Sequence, residues 1–389
     1  MKKKLLSAAL AVVFTASMLV GCSSSNSSSG KGSDKFKIGA IGPFTGAYAA
    51  YGNAVQWGAK IAVDEINASG GINGYQIEFK AEDDETDNQK SVNAYNTLKD
   101  WGMQFLVGST TSGCSIAVSE ETHNDNMFQI TPSGSASDCV NYDNVFRVCF
   151  SDPAQGTASA QYIAEHKIAK KVGIIYDSSD VYSNGIEQTF EKEAANQGLE
   201  VVSKEAFTAD SKTDFTVQLQ KAKDGGAELV FLPIYYSEAA LILQQANTMG
   251  FAPKFFGCDG MDGILGVEKF DKKLAEGLML LTPFSADAED DLTKKFVETF
   301  KKEHDIVPNQ FAADAYDAVY AIKAAAEKAS LTPDMSVSDI CDKTKEAMTQ
   351  ITVDGVTSPQ MTWSAKGEPT KQPKAVVIKN GAYALMEDK

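Results

Sequence analysis

"FKIGAIGPFTGAYAAYGNAVQWGAKIAVDEINASGGINGYQIEFKA", Phe36 to Ala81, holds two different periodicities in one run. Its start, FKIGAIG, is a short apolar stretch ending in glycine and reads as a strand. In "NAVQWGAKIAVDEINASGG", Val55, Ala59, Ala62 and Ile66 recur at helical spacing, and Gly70-Gly71 stops the helix. "YQIEFKA" then sets Tyr75, Ile77 and Phe79 against polar neighbours, the alternation of a half-buried strand. Strand, helix and strand in this order make one unit of a parallel α/β sheet.

The rhythm continues. An acidic loop precedes a helix near Asn88 to Trp101, the strand "QFLVG", a helix after Gly113 and the strand "FQIT". After Asp152 it restarts. The strands "KVGIIYD", "LEVVSKEAF", "ELVFLPI" and "KFFG" alternate with helices near Tyr182–Gly198, Thr213–Asp224 and Glu238–Gly250. "EDDLTKKFVETFKKEH" and "QFAADAYDAVYAIKAAAEKA" are further helices, and "AVVIKNGAYALM" is a hairpin turning at Asn380-Gly381. Two rounds of strand–helix alternation in 389 residues predict two α/β lobes with parallel central sheets.

A net charge of -16 argues against nucleic acid, which requires basic surface to replace its counterions. The first residues read as a targeting segment. Lys2, Lys3 and Lys4 precede the apolar "LLSAALAVVFTASMLV", too short and too rich in Ser and Thr for a membrane span. The run ends in "LVGC" and a Ser/Gly stretch, so Cys22 is expected to be acylated and to become the N-terminus of a lipid-anchored protein on a flexible tether. The remaining cysteines form no C-x-x-C pair. Cys139 and Cys149 either close a small loop or stand as free, buried thiols.

Two apolar strands end in small hydroxyl-rich runs, "LVGSTTSGCS" (Leu106–Ser115) and "ITPSGSAS" (Ile130–Ser137). Each leads towards a helix, beyond the carboxyl end of a strand, where open parallel sheets bind ligands. Hydroxyls and free helix N–H groups there suit an anion, although Ser and Thr also cap helices without binding anything. The single arginine, Arg147, lies in the strand-like "VFRVCF", where a structural role fits better than a carboxylate fork. Catalytic patterns are missing. There is no G-x-G-x-x-G, P-loop, H-E-x-x-H or G-x-S-x-G. The three histidines, His123, His166 and His304, sit in polar helical stretches. No enzyme, metal or cofactor is expected.

The opening segment with its "INASGGING" run, the two hydroxyl runs, "DSSDVYSNG", "FLPIYYSEAALILQQANTMG", "FFGCDG" and "DGVTSPQMTW" resemble the type I periplasmic binding proteins. They are most similar to the leucine/isoleucine/valine-binding proteins of ABC transporters, over the whole mature chain. The resemblance implies a signal peptide over 1–21, a tether over 22–35, an N-terminal lobe of 36–150 with 284–370, and a C-terminal lobe of 151–283 with 371–389, joined by a multi-strand hinge. It also implies that Ser112, Ser133 and Ser135 hold the ligand carboxylate. Tyr51, Tyr182 and Tyr316 would line the cleft, and Tyr235 and Asp259 would receive the ammonium. The relatives' Glu is replaced by Asp at 259, one methylene shorter, and their disulfide between the acidic and Ser-rich loops is absent at Thr86 and Thr111. The implied function is capture of an amino acid, branched-chain before others, for an ABC permease. The alternatives are a binding protein for amides, urea or aromatic amino acids, or a ligand-sensing lipoprotein.

Overall fold

The computed structural model describes residues 34–386, so the signal segment and Cys22 lie outside the described residues. Strand β1 (Lys35–Gly42), α1 (Ala49–Ala68) and β2 (Gln76–Asp83) form the unit read from the opening stretch. Then follow α2 (Asn88–Trp101), β3 (Phe105–Val107), α3 (Ser112–Asn124), β4 (Phe128–Thr131) and β5 (Val145–Arg147). These strands make a wholly parallel sheet in the order β2-β1-β3-β4-β5. The second half brings α4 (Asp152–Glu165), β6 (Lys171–Asp177), α5 (Val181–Asn196), β7 (Glu200–Phe207), α6 (Thr216–Asp224), β8 (Leu229–Leu232), α7 (Tyr236–Thr248), β9 (Lys254–Gly257) and β10 (Met279–Thr282). After α8 (Asp291–His304), α9 (Gln310–Lys328) and α10 (Val337–Met348), the chain ends in the hairpin β11 (Lys374–Lys379) and β12 (Ala382–Leu385). The second sheet runs β12-β11-β10-β9-β8-β6-β7, parallel from β10 to β7, with the hairpin added antiparallel at its edge.

Central strands are buried along their whole length, as in FLV of β3, FQIT of β4 and LVFL of β8. A parallel sheet covered by helices on both faces demands such continuous apolar runs. The edge strand β7 is half exposed and correspondingly polar.

The sequence reading did not anticipate α4, α10 or β10. The two helices nonetheless carry start signals: Ser151 caps α4 with Pro153 in its first turn, and Ser336 caps α10 through the N–H of Asp339.

The chain passes between the sheets three times: from β5 to α4, from β10 to α8, and from the loops after α10 into β11. Between the last two passes, α8 and α9 pack on α1, and α10 on α9 and β4, all beside the first sheet. The α1–α9 contact depends on Gly58, where a Cβ would lie 2.0 Å from the carbonyl oxygen of Ala312. The third pass is pinned by a buried ion pair, Lys371 Nζ to Asp314 Oδ1 at 2.6 Å, with Thr357 Oγ1 at 2.5 Å from the same ammonium. Cys114, Cys139, Cys149, Cys258 and Cys341 are free and buried. Among the described residues, no helix is long and apolar enough to cross a membrane.

Candidate functional site

In the first sheet the strand order reverses between β1 and β3, and in the second between β6 and β8. Loops diverge at such switch points and leave a crevice beyond the strand ends. The two crevices face each other. Between them lies a small inner cavity lined by Tyr51, Thr111, Ser112 and Ser133 from the first lobe and by Tyr182, Tyr235 and Asp259 from the second, with Phe311 closing one side.

The hydroxyl runs build one wall. Ser112 opens α3, and the first bond within that helix runs from Ser115 N–H to the Thr111 carbonyl, so the N–H groups of its first turn are left to other partners. The Ser112 Oγ accepts from the N–H groups of Ser135 and Ala136, both at 3.1 Å. Two accepted bonds fill its lone pairs and leave its own proton to donate. Ser133 Oγ donates to the Thr110 carbonyl at 2.6 Å, which ties the two runs together. Arg147, fully buried, holds the second run from behind: Nη1 donates to the carbonyls of Gly134 and Ser135 at 3.2 and 2.5 Å. It is a structural arginine, as expected. The outcome is a cluster of oriented neutral donors for an anion.

The opposite wall is acidic. Asp259 is 3% exposed and accepts from Tyr182 Oη at 2.7 Å. Its N–H donates to Gln155 Oε1, and its carbonyl accepts from Gln310. Burial pushes its carboxyl up to about 6, against the pull of the Tyr182 and Gln155 hydrogen bonds. The buried cations Arg147 and Lys371 are paired elsewhere, with Glu368 and Asp314. A buried carboxylate in this position favours a cation arriving from the cavity. Tyr51, Tyr182 and Tyr235 supply apolar walls. Tyr182 stacks on Tyr235 at 5.0 Å, and Tyr51 packs on Phe311 at 4.2 Å between ring centres.

The lobes are closed on each other. Tyr51 Oη donates to the Gly260 carbonyl and accepts from Tyr236 N–H. Tyr48 Oη donates to Glu238 at 2.7 Å, and Tyr236 and Ser237 hydroxyls both reach the Ala47 carbonyl. In this state the inner cavity has free space of about 10 Å³, room for roughly one water.

Two expected residues are placed elsewhere. Tyr316 lies five positions beyond Phe311 on α9, hence on another face of that helix. It packs on Phe296 and Tyr320, and its hydroxyl donates to Glu65 at 2.6 Å. Ser135 does not line the inner cavity: its N–H serves Ser112, its carbonyl serves Arg147, and its hydroxyl is buried without a hydrogen-bond partner. The reading missed Thr111 as a wall residue, although it belongs to the quoted hydroxyl run, and it missed Phe311. Phe311 carried no local signal, because α9 returns to the cleft only after the second pass between lobes.

A family profile described as periplasmic binding protein matches residues 35–382. The chain belongs to that family. As a periplasmic binding protein it is 30% identical over 298 residues to the leucine-, isoleucine-, valine-, threonine- and alanine-binding protein of Pseudomonas aeruginosa, covering 76% of this chain and 79% of the relative. It is 31% identical over 304 residues to a Leu/Ile/Val-binding protein homologue of Brucella melitensis, with 76% and 80% covered. Among solved structures it is similar to the branched-chain amino acid transporter substrate-binding protein of Streptococcus pneumoniae in complex with isoleucine, with TM-score 0.81 and 30% identity. That likeness covers 90% of this chain and 97% of the other. These relatives are binding proteins rather than enzymes, and the periplasmic binding protein fold accounts for both sheets and the interlobe cleft.

Proposed function

We propose that this protein is the extracytoplasmic solute-binding component of an ABC importer, that it captures branched-chain amino acids between its lobes, and that it hands them to the permease. The observation that carries the reading is the pairing across one cavity of neutral donors at Ser112 with a buried, cation-free carboxylate at Asp259. Such a pair complements the two ends of a zwitterion. The aromatic walls between them suit an aliphatic side chain. Ser112 and Thr111 hold the carboxylate beside Ser133, whose hydroxyl is spent on the Thr110 carbonyl, while Asp259 and Tyr235 hold the ammonium and Tyr51, Tyr182 and Phe311 the side chain. Branched-chain specificity draws support from the ligands named for the relatives. Acylation at Cys22 would keep the protein near its permease and raise its local concentration there.

The test is a thermal-shift titration with leucine, isoleucine, valine and 4-methylpentanoate, which is leucine without its amino group. At a hundred times Kd, a ligand selective for the native state adds about 2.7 kcal/mol of stability. The amino acids should raise Tm and 4-methylpentanoate should not. Equal stabilisation by both would refute the zwitterion reading. Release of a Cys22→Ala variant from membranes, with unchanged leucine affinity, is the expected result for the anchor.

A further inference from the structure

Next to the inner cavity lies a second, larger chamber of about 390 Å³, walled by both lobes. Thr111 and Tyr235 line both spaces, so they form the partition. Four carboxylates face this chamber, Glu85, Asp177, Asp180 and Glu238, against one cation, Lys212. Glu85 is also engaged outside by Lys90 at 2.7 Å. Glu238 is different. It is 5% exposed, its Oε1 accepts from Tyr48 at 2.7 Å, and its Oε2 has no hydrogen-bond partner. Lys212 stands 3.7 Å from Oε1, and its ammonium also donates to Tyr48 Oη at 3.1 Å. A buried carboxylate oxygen without a partner is costly, and a cation entering the chamber would relieve that cost. Tyr48, Ile234 and Phe207 add apolar wall along which a methylene chain could lie.

We infer that the outer chamber is a subsite for the cationic end of a longer side chain, so that the protein also accepts an α-amino acid ending in an ammonium. The inference rests on the reading that the zwitterionic head sits in the inner cavity. The side chain would pass between Thr111 and Tyr235, and its terminal ammonium would meet the carboxylates that line the chamber, Glu238 among them. Anionic side chains would be rejected by the same carboxylates.

The experiment is calorimetry on the full chain with L-leucine, L-norleucine, L-lysine and L-glutamate. Norleucine is lysine without its terminal ammonium. Lysine should bind more tightly than norleucine, and glutamate should not bind. Glu238→Gln should weaken lysine roughly tenfold more than leucine, since a charge-assisted bond is lost for lysine alone. Because Glu238 also ties the lobes through Tyr48, the ratio of the two ligands is the readout. Lys212→Met, which removes the competing cation, should shift that ratio the other way. Lysine failing while leucine binds, or both variants moving the two ligands equally, overturns the chamber assignment alone. Failure of leucine and lysine together counts instead against the amino-acid reading beneath it.

Discussion

Asp259 is bonded to Tyr182 and Gln155 but to no cation, and that sets what removing its charge should do. Asp259→Asn keeps the shape and loses the counter-charge of a ligand ammonium. Amino-acid affinity should fall by about 2–5 kcal/mol, the range for truncating one partner of a buried charge pair. Calorimetry with leucine checks this; unchanged affinity would reduce Asp259 to a turn residue. On the facing wall, Ser112 and Ser135 separate cleanly. Ser112→Ala removes a hydroxyl whose proton is free to donate, and should cost about 1.5–3 kcal/mol of binding. Ser135→Ala removes a hydroxyl from a residue that does not line the cavity and keeps the N–H that serves Ser112, so its effect on Kd should be much smaller. The sequence could nominate both serines, since both lie in hydroxyl runs after strands. It could not rank them, because the ranking follows from which atoms Arg147 holds from behind.

Helices α1 and α9 meet where Gly58 has no side chain to hold the Ala312 backbone away. Gly58→Ala should therefore destabilise the protein by about 1–3 kcal/mol through overpacking, despite the better helix propensity of alanine. Chemical denaturation checks this, and an unchanged or higher midpoint would contradict the contact. The β-α-β unit of β1, α1 and β2 was legible because its apolar periods of two and 3.6 are clean and its stop is a glycine pair. The α4 helix was not, because it is rich in small residues such as Ala, Ser and Gly, whereas α10 carries a regular stripe of Ile340, Cys341, Thr344, Ala347 and Met348 that was overlooked. Phe311 and Tyr316 show the same limit at the site. Both are aromatic residues of one helix, and only the path of the chain after its second lobe crossing decides that Phe311 faces the cavity and Tyr316 faces Glu65.

At the scale of the molecule, burial raises a set of carboxyls together: Asp84, Asp180, Asp259 and Asp262 to about 6, and Asp314 to about 7. Each binds its proton more tightly folded than unfolded. The native state thus carries more protons between pH 4 and 7, and stability falls as pH rises through that window. The ligand-free protein should melt higher near pH 5 than near pH 8. Ligand stabilisation should move oppositely, because acid neutralises Asp259, the charge that an ammonium needs. Scanning Tm from pH 5 to 8 with and without leucine checks both trends; parallel curves would contradict the second. Finally, the inner cavity has room for about one water and is shut by the Tyr51–Gly260 bond between the lobes, so it cannot admit a solute by direct collision. Uptake from this state must wait for the lobes to part. In stopped-flow traces the observed rate should therefore climb with leucine concentration and then level off at the opening rate, a speed limit set by the protein and not by the supply of solute.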